Sequence, residues 1–239
     1  MVLFSFAAFL SYTASQAAGA QMQQAQKQQR EEPQARAEQA PKSAAQAGPE
    51  VKEPSAAERV VAVLRAEVAT DSLNPRLHYQ LANALHDAGS KEEALVEYDK
   101  ALSLKPDIIE ALVNRGALLN EFGRIQEAIS SFQQALALDP RNTRALVNLG
   151  NSFYALKLYD DAMKEYRLSV QTDPNFAEGY YYIGIAFADA GIYREAVREW
   201  EKIISVAPNS EAARNARENI DLIRSYLAGT ESGVPPVTR

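Results

Sequence analysis

Four prolines, Pro106, Pro140, Pro174 and Pro208, each stand 34 residues after the last, and no other feature constrains the fold of this chain more. A proline lacks the backbone N–H and clashes with the preceding turn, so each one closes a helical pattern. A fixed period of this length marks a chain built by stacking one supersecondary unit on its copies. Counting back from the prolines places four units between Pro75 and Pro208, at 75–108, 109–142, 143–176 and 177–208.

Residue types keep step within these units. The eighth position is small each time (Ala82, Gly116, Gly150, Gly184) and the twentieth is alanine (Ala94, Ala128, Ala162, Ala196). The eleventh is large and apolar (Leu85, Leu119, Phe153, Phe187), and the twenty-fourth is aromatic (Tyr98, Phe132, Tyr166, Trp200). Two antiparallel helices approach closely only where small side chains face each other at the crossing. The aromatic then fills the space between one pair and the next. A hydrophobic fraction of 46%, much of it alanine, suits such close helix packing.

The flanks fit the same architecture. Ala56 to Ala69, with Val60, Val61, Leu64 and Val68 apolar, predicts a helix within 55–74 that packs on the first unit. Glu211 to Ala228 carries a stripe of Ala213, Ala216, Ile220, Ile223 and Leu227 at spacings of three and four. Its other face carries Arg214, Arg217, Glu218, Asp221 and Arg224, as a terminal cap requires. The cap is expected over 209–228, with Gly229 stopping the helix and a loose tail over 229–239.

The repeated residues resemble the tetratricopeptide-repeat (TPR) family over more than half of the chain. The resemblance implies an all-α fold, a right-handed solenoid of antiparallel helix pairs ending in a C-terminal capping helix. Three residues depart from the family pattern: Arg115 stands at an apolar position, Lys157 at the glycine of the helix–helix turn, and Ile203 at a small position.

The N-terminal stretch is different material. No charged side chain occurs from Met1 to Gln26, and Val2 to Leu10 is strongly apolar but shorter than the about 20 residues a membrane span needs. Followed by Ala18-Gly19-Ala20, it reads as an export signal over 1–20, although no Lys or Arg precedes it. An uncleaved membrane anchor over the same residues is the alternative. Residues 21–54, rich in Gln, Ala and Pro with almost no large apolar side chain, read as a disordered linker. The expected location is therefore periplasmic or otherwise extracytoplasmic.

Catalysis finds little support. Without cysteine there is no thiol nucleophile, thiolate metal site or disulfide. His78 and His86 stand two turns apart on one expected helix, too far to share a metal ion, and His78 falls at an inward position. No Gly-rich phosphate loop follows a strand. A formal net charge of -6 argues against a nucleic-acid binder. We expect no catalytic residue, cofactor or metal site.

Recognition remains. The resemblance implies that the first helix of each unit lines a concave surface through positions two, five, six, nine and twelve. Position six reads Gln80, Asn114, Asn148, Tyr182, and position nine Asn83, Ala117, Asn151, Ile185. Amide side chains offer both a donor and an acceptor, so a row of them can hold an extended peptide backbone. Position five adds Tyr79, Val113, Val147 and Tyr181 as an expected exposed strip, position twelve adds Tyr154, and position two alternates Arg76, Glu110, Arg144, Glu178. Glu97 is expected on the opposite, convex side. Asn83 and Asn114 match the two asparagines of the family's C-terminal carboxylate clamp, and Arg144 stands where one of its lysines would be. Tyr79 and Asn148 replace the other lysine and the arginine, so that mode is not expected.

These readings point to a scaffold or adaptor that holds a protein or peptide partner, with an envelope or membrane assembly as its setting. A homo-oligomeric architectural protein and a non-catalytic, substrate-positioning subunit of an enzyme complex are the alternatives.

Overall fold

The computed structural model describes residues 55–231, with side chains through residue 228. Among these residues there are ten α-helices and no strand. The first, α1 (Ala56–Thr70), is followed by four pairs: α2 (Pro75–Asp87) with α3 (Lys91–Leu104), α4 (Ile109–Glu121) with α5 (Ile125–Leu138), α6 (Thr143–Ala155) with α7 (Tyr159–Thr172), and α8 (Ala177–Asp189) with α9 (Tyr193–Val206). The last helix, α10 (Glu211–Glu231), stands without a second helix among the described residues. The expected export signal, anchor and linker lie outside the described residues, as do residues 232–239 of the expected tail. No helix among the described residues is long and apolar enough to cross a membrane.

Local chemistry starts and stops each helix. Ser55 opens α1 with a reciprocal capping box, its hydroxyl accepting from the Glu58 N–H while the Glu58 carboxylate accepts from the Ser55 N–H. The Asn142 side chain caps α6 by accepting from the Ala145 N–H at 3.0 Å, and the Ser210 hydroxyl caps α10 by accepting from the Ala213 N–H at 3.1 Å. The turns inside the pairs need a residue in the left-handed region, filled by Gly89, Gly123 and Gly191 at φ 82°, 71° and 75°. In the third unit Lys157 holds the same conformation at φ 62°, which side chains with a Cβ adopt at a cost. The turn is otherwise unchanged, since Leu158 N–H still donates to the Phe153 carbonyl as Arg124 does to Leu119.

The helix crossings follow the sequence pattern. A Cβ placed on Gly116 would lie 2.5 Å from the Phe132 ring, and one on Gly150 or Gly184 would run into Tyr166 or Trp200. Position eight therefore lies directly against position twenty-four of its own unit. A second crossing joins consecutive units: a Cβ on Gly179 would run into Ser169, the residue at position twenty-seven of the unit before. Tyr98, Phe132, Tyr166 and Trp200 are fully buried in this way, with Leu85, Leu119 and Leu146 around them.

The departures are accommodated. Arg115 donates to Asp99 at 2.6 Å through Nε and to the buried Ser131 hydroxyl at 2.6 Å through Nη1, so a cation at an inward position has two acceptors. Ile203 is fully buried, as is Ala213, which the register sets opposite it on α10. One boundary is corrected. Gly229 does not end the last helix, which runs on to Glu231. A single glycine lowers helix propensity by only about 1 kcal/mol, which does not by itself force a stop.

Candidate peptide-binding face

The first helices of the four units carry the expected site residues, and the structure gathers them into two clusters. In the N-terminal cluster the Tyr98 hydroxyl donates to Asn83 Oδ1 at 2.6 Å, and Asn114 Nδ2 donates to the same oxygen at 3.0 Å. Tyr79 lies beside this group, its ring centroid 6.2 Å from that of Tyr98. Burial pushes the Tyr98 phenol up to about 12, against the opposing hydrogen bond of Asn114. In the C-terminal cluster the Tyr166 hydroxyl donates to Asn151 Oδ1 at 2.8 Å. The Tyr166 and Tyr182 rings stack at 5.5 Å, and Tyr181 meets Tyr182 edge-on, also at 5.5 Å. Tyr154 packs edge-on against Tyr159 at 5.0 Å.

Two expectations are thereby corrected. Asn83 and Asn151 are not simply presented to a ligand, because each has its carbonyl oxygen occupied by the tyrosine at position twenty-four of its own unit. A buried hydroxyl must find an acceptor, and position nine supplies it. Where position twenty-four has no hydroxyl, as in Phe132 and Trp200, position nine is apolar, Ala117 and Ile185. The Trp200 indole N–H turns instead to the Tyr181 carbonyl at 3.1 Å. The pairing is visible in the sequence as asparagine with tyrosine and an apolar residue with Phe132 or Trp200 at positions nine and twenty-four. The second correction concerns position five. Val113 and Val147 are buried, at 3% and 4% exposure, while Tyr79 and Tyr181 remain partly accessible. Val147 packs among Ala162, Tyr166 and Ile183, between the third and fourth units.

The remaining site residues are available. The side-chain amides of Gln80 and Asn148 make no hydrogen bond among the described residues, and Arg76 and Arg144 are exposed. Between α1 and α2 a cleft of ≈ 500 Å³ is lined by Ala56, Ala57, Val60, Leu64, Gln80 and Asn83. A smaller cleft is lined by Arg76 and Tyr79 with Pro75, Lys105, Ile108 and Glu110. Consecutive units are also joined by polar contacts, Asn114 to Asn83 and Asn120 to the buried Ser152 hydroxyl at 2.9 Å.

The opposite side of the pairs holds a closed network. The His78 ring is buried with both nitrogens engaged, Nδ1 at 2.6 Å from Glu97 and Nε2 at 3.0 Å from the Ser72 carbonyl. Glu97 also takes Lys100 at 2.8 Å. Burial would raise the Glu97 carboxyl, but the hydrogen bonds from Lys100 and His78 outweigh it and hold the group below its ordinary value. Glu97, expected on the convex side, is not a free surface carboxylate: its side chain is only 12% exposed and belongs to this network.

Paired helices on a 34-residue period, with small–aromatic crossings and a terminal cap, define a helical-repeat solenoid. Tetratricopeptide-repeat models match residues 75–108, 114–177 and 178–210, together more than half of the chain, and the chain belongs to the tetratricopeptide-repeat family. Its class is that of protein-interaction scaffolds, typically non-catalytic. No curated protein is significantly similar to it in sequence. Among solved structures it is similar to MamA, at 24% identity over 61% of this chain and 85% of that one with a TM-score of 0.56. MamA 41-end from Desulfovibrio magneticus RS-1 is similar at 20% identity over 65% and 88%, with a TM-score of 0.58. YrrB, described as a TPR protein with an unusual peptide-binding site, is similar at 22% identity over 68% and 84%, with a TM-score of 0.54. These likenesses show the shared fold.

Proposed function

We propose that this chain is an adaptor that binds an extended segment of a protein partner along the face of its first helices. One observation carries the reading: the amides of Gln80 and Asn148 stand at the same position of the first and third units without a hydrogen bond among the described residues. Asn83, Asn114 and Asn151, which are held internally, and Tyr79, Tyr154, Tyr181 and Tyr182 belong to the same set of first helices. An amide pair repeated along a groove suits a main chain of any sequence, and the aromatic rings add apolar contact. The alternation of Arg76, Glu110, Arg144 and Glu178 favours neither a strongly acidic nor a strongly basic ligand.

Calorimetric titration of a peptide selected from a random dodecamer display library against the full chain tests this. Gln80→Ala with Asn148→Ala should weaken binding roughly five- to a hundredfold, as expected for the loss of two net hydrogen bonds of about 0.5–1.5 kcal/mol each. The exposed Gln133 on α5 provides the control, and Gln133→Ala should leave the affinity unchanged. Equal affinities for wild type and the double variant would remove the face from the argument. Export belongs to the same proposal and rests on Val2–Leu10 and Ala18-Gly19-Ala20. N-terminal sequencing of the mature chain should begin at Gln21, and a mature chain retaining Met1 would count against it.

A second reading, the homo-oligomeric architectural protein, is favoured by the exposure of Val60 and Val63 on α1, at 50% and 58%. Light scattering of the full chain separates the two readings, since the adaptor should be a monomer in the absence of its ligand.

A further inference from the structure

α1 keeps the register of a second helix, but among the described residues no first helix stands before it. On the 34-residue period Val60 takes the place of Ala94, Ala128, Ala162 and Ala196, and Leu64 that of Tyr98, Phe132, Tyr166 and Trp200. Those eight side chains are buried, and in three units the aromatic lies against the glycine of its own first helix. Val60 is instead 50% exposed, and Leu64 is only partly buried. The cleft of ≈ 500 Å³ between α1 and α2 is lined by both and extends to Ala84 and Asp87. It marks the place a preceding first helix would take.

The side chains around the cleft define what fits it. Val60, Leu64 and Ala84 give it an apolar wall, and a helix seated there meets Leu64 where the other units carry a small residue. Asp87 is the one charged side chain of the lining; it is exposed and makes no hydrogen bond or ion pair among the described residues. It is the last residue of α2, and the start of α1, Ala56 and Ala57, lines the same cleft. A helix running parallel to α2, as first helices of the repeat do, brings its C-terminal end to this carboxylate. A cation in its last turn then meets Asp87 and the helix's own dipole together.

Two nearer occupants fit poorly. Residues 21–54 hold only Met22 and Val51 as large apolar side chains, and Pro49 and Pro54 interrupt a helix next to α1. The α10 helix of a second copy is a first helix by register, but it carries exposed Arg214, Arg217, Glu218 and Asp221 at positions four, seven, eight and eleven. The four units fill those positions mostly with apolar or small residues. We infer that the cleft between α1 and α2 is a second docking site, which takes an amphipathic helix of a protein partner: a small residue over Leu64, apolar residues a turn to either side, and a lysine or arginine in the last turn for Asp87. This goes beyond the adaptor reading, which concerns an extended segment, and stands without it.

A peptide of residues 143–155, with Gly150 at position eight between Leu146 and Phe153, supplies the probe. It is held helical by a lactam bridge on its outer face and extended by two lysines. Fluorescence anisotropy with the full chain should show saturable binding, about tenfold tighter than for the same peptide extended by two glutamates. Asp87→Asn should narrow that difference to about threefold. Val60→Gln, which changes no charge, should weaken the lysine peptide about fivefold or more at an unchanged melting temperature. Absence of saturable binding, equal affinities of the two peptides for the wild type, or an unaltered affinity in Val60→Gln overturns the inference. Two other results overturn it as well. A wild-type dimer that Val60→Gln makes monomeric in light scattering puts a second copy in the cleft, and a monomer whose melting temperature Val60→Gln lowers puts the chain's own preceding residues there. If the helical probe fails while Gln80→Ala with Asn148→Ala weakens the selected dodecamers, this inference falls and the adaptor reading stands; the reverse pattern removes the adaptor reading alone.

Discussion

Among the described residues, the two ends of the solenoid are built from opposite halves of the same unit, and only the C-terminal one carries a capping face. α10 begins on the 34-residue period as a first helix would, whereas α1 ends, at its Asp71 cap, where a second helix ends. α10 buries Ala213, Ala216, Ile220 and Ile223 and turns Arg214, Arg217, Glu218, Asp221 and Arg224 to solvent. α1 fully buries Val61 alone and leaves Val60 and Val63 exposed where a preceding first helix would pack. A helix that closes a stack needs one apolar face and one charged face. The C-terminal helix has both, and the N-terminal helix has kept the two apolar faces of an interior one. The lesson is that capping resides in the outer face of a helix and not in its place in the chain.

The largest effect should come from removing each end in turn. A chain ending at Ser210 loses two fully buried isoleucines and uncovers Ile203, at about 1.5–3 kcal/mol for each such side chain. The fourth unit should melt early in far-UV circular dichroism. A chain starting at Asp71 should lose distinctly less, and equal losses would break the comparison. Point changes should sharpen it. Ile220→Glu buries a charge without a partner and should cost upward of about 3 kcal/mol. Val60→Glu should stay within about 0.5 kcal/mol by chemical denaturation. A large cost at Val60 would mean that its exposed side is covered in solution.

The interior supplies the reference for both ends. Gly150→Leu drives a side chain into the Tyr166 ring and should cost on the order of 1–3 kcal/mol or more, with an unchanged melting temperature refuting the crossing. Titration gives a subtler handle on the first unit. Its Tyr98 phenol is raised in the folded chain above the ordinary value, so the neutral form is favoured by folding. That stability is fully present below about pH 10 and is lost as pH rises through about 12. Melting temperatures of the full chain should decline across this window, and Tyr98→Phe should flatten the decline. The smallest change should be a gain: Lys157→Gly relieves the left-handed backbone of the third turn and should stabilise by about 1 kcal/mol, measured by urea unfolding.

The fold was readable because its determinants are local and repeated. Gly116 against Phe132 and Gly150 against Tyr166 recur at a fixed spacing, so each unit confirmed the register of the others. The site was less so. Asn83 and Asn114 look alike in sequence, and only the shared contact with Tyr98 shows that Asn83 accepts while Asn114 donates. Val113 and Val147 are buried rather than exposed because position five faces both the groove and the neighbouring unit, and for a short side chain the neighbour prevails.

The Asn83 oxygen, shared between Tyr98 and Asn114, has a consequence for selectivity along the chain. Both side chains are immobilised before any partner arrives, so a peptide meeting them loses little further rotamer entropy, whereas Gln80 and Asn148 must be ordered by the encounter itself. On the adaptor reading proposed above, the Asn83–Asn114 pair would act as a rigid template and Gln80 and Asn148 as adjustable grips. A partner would be read for main-chain geometry at the template and tolerated in its details at the grips, which suits one adaptor to several related sequences.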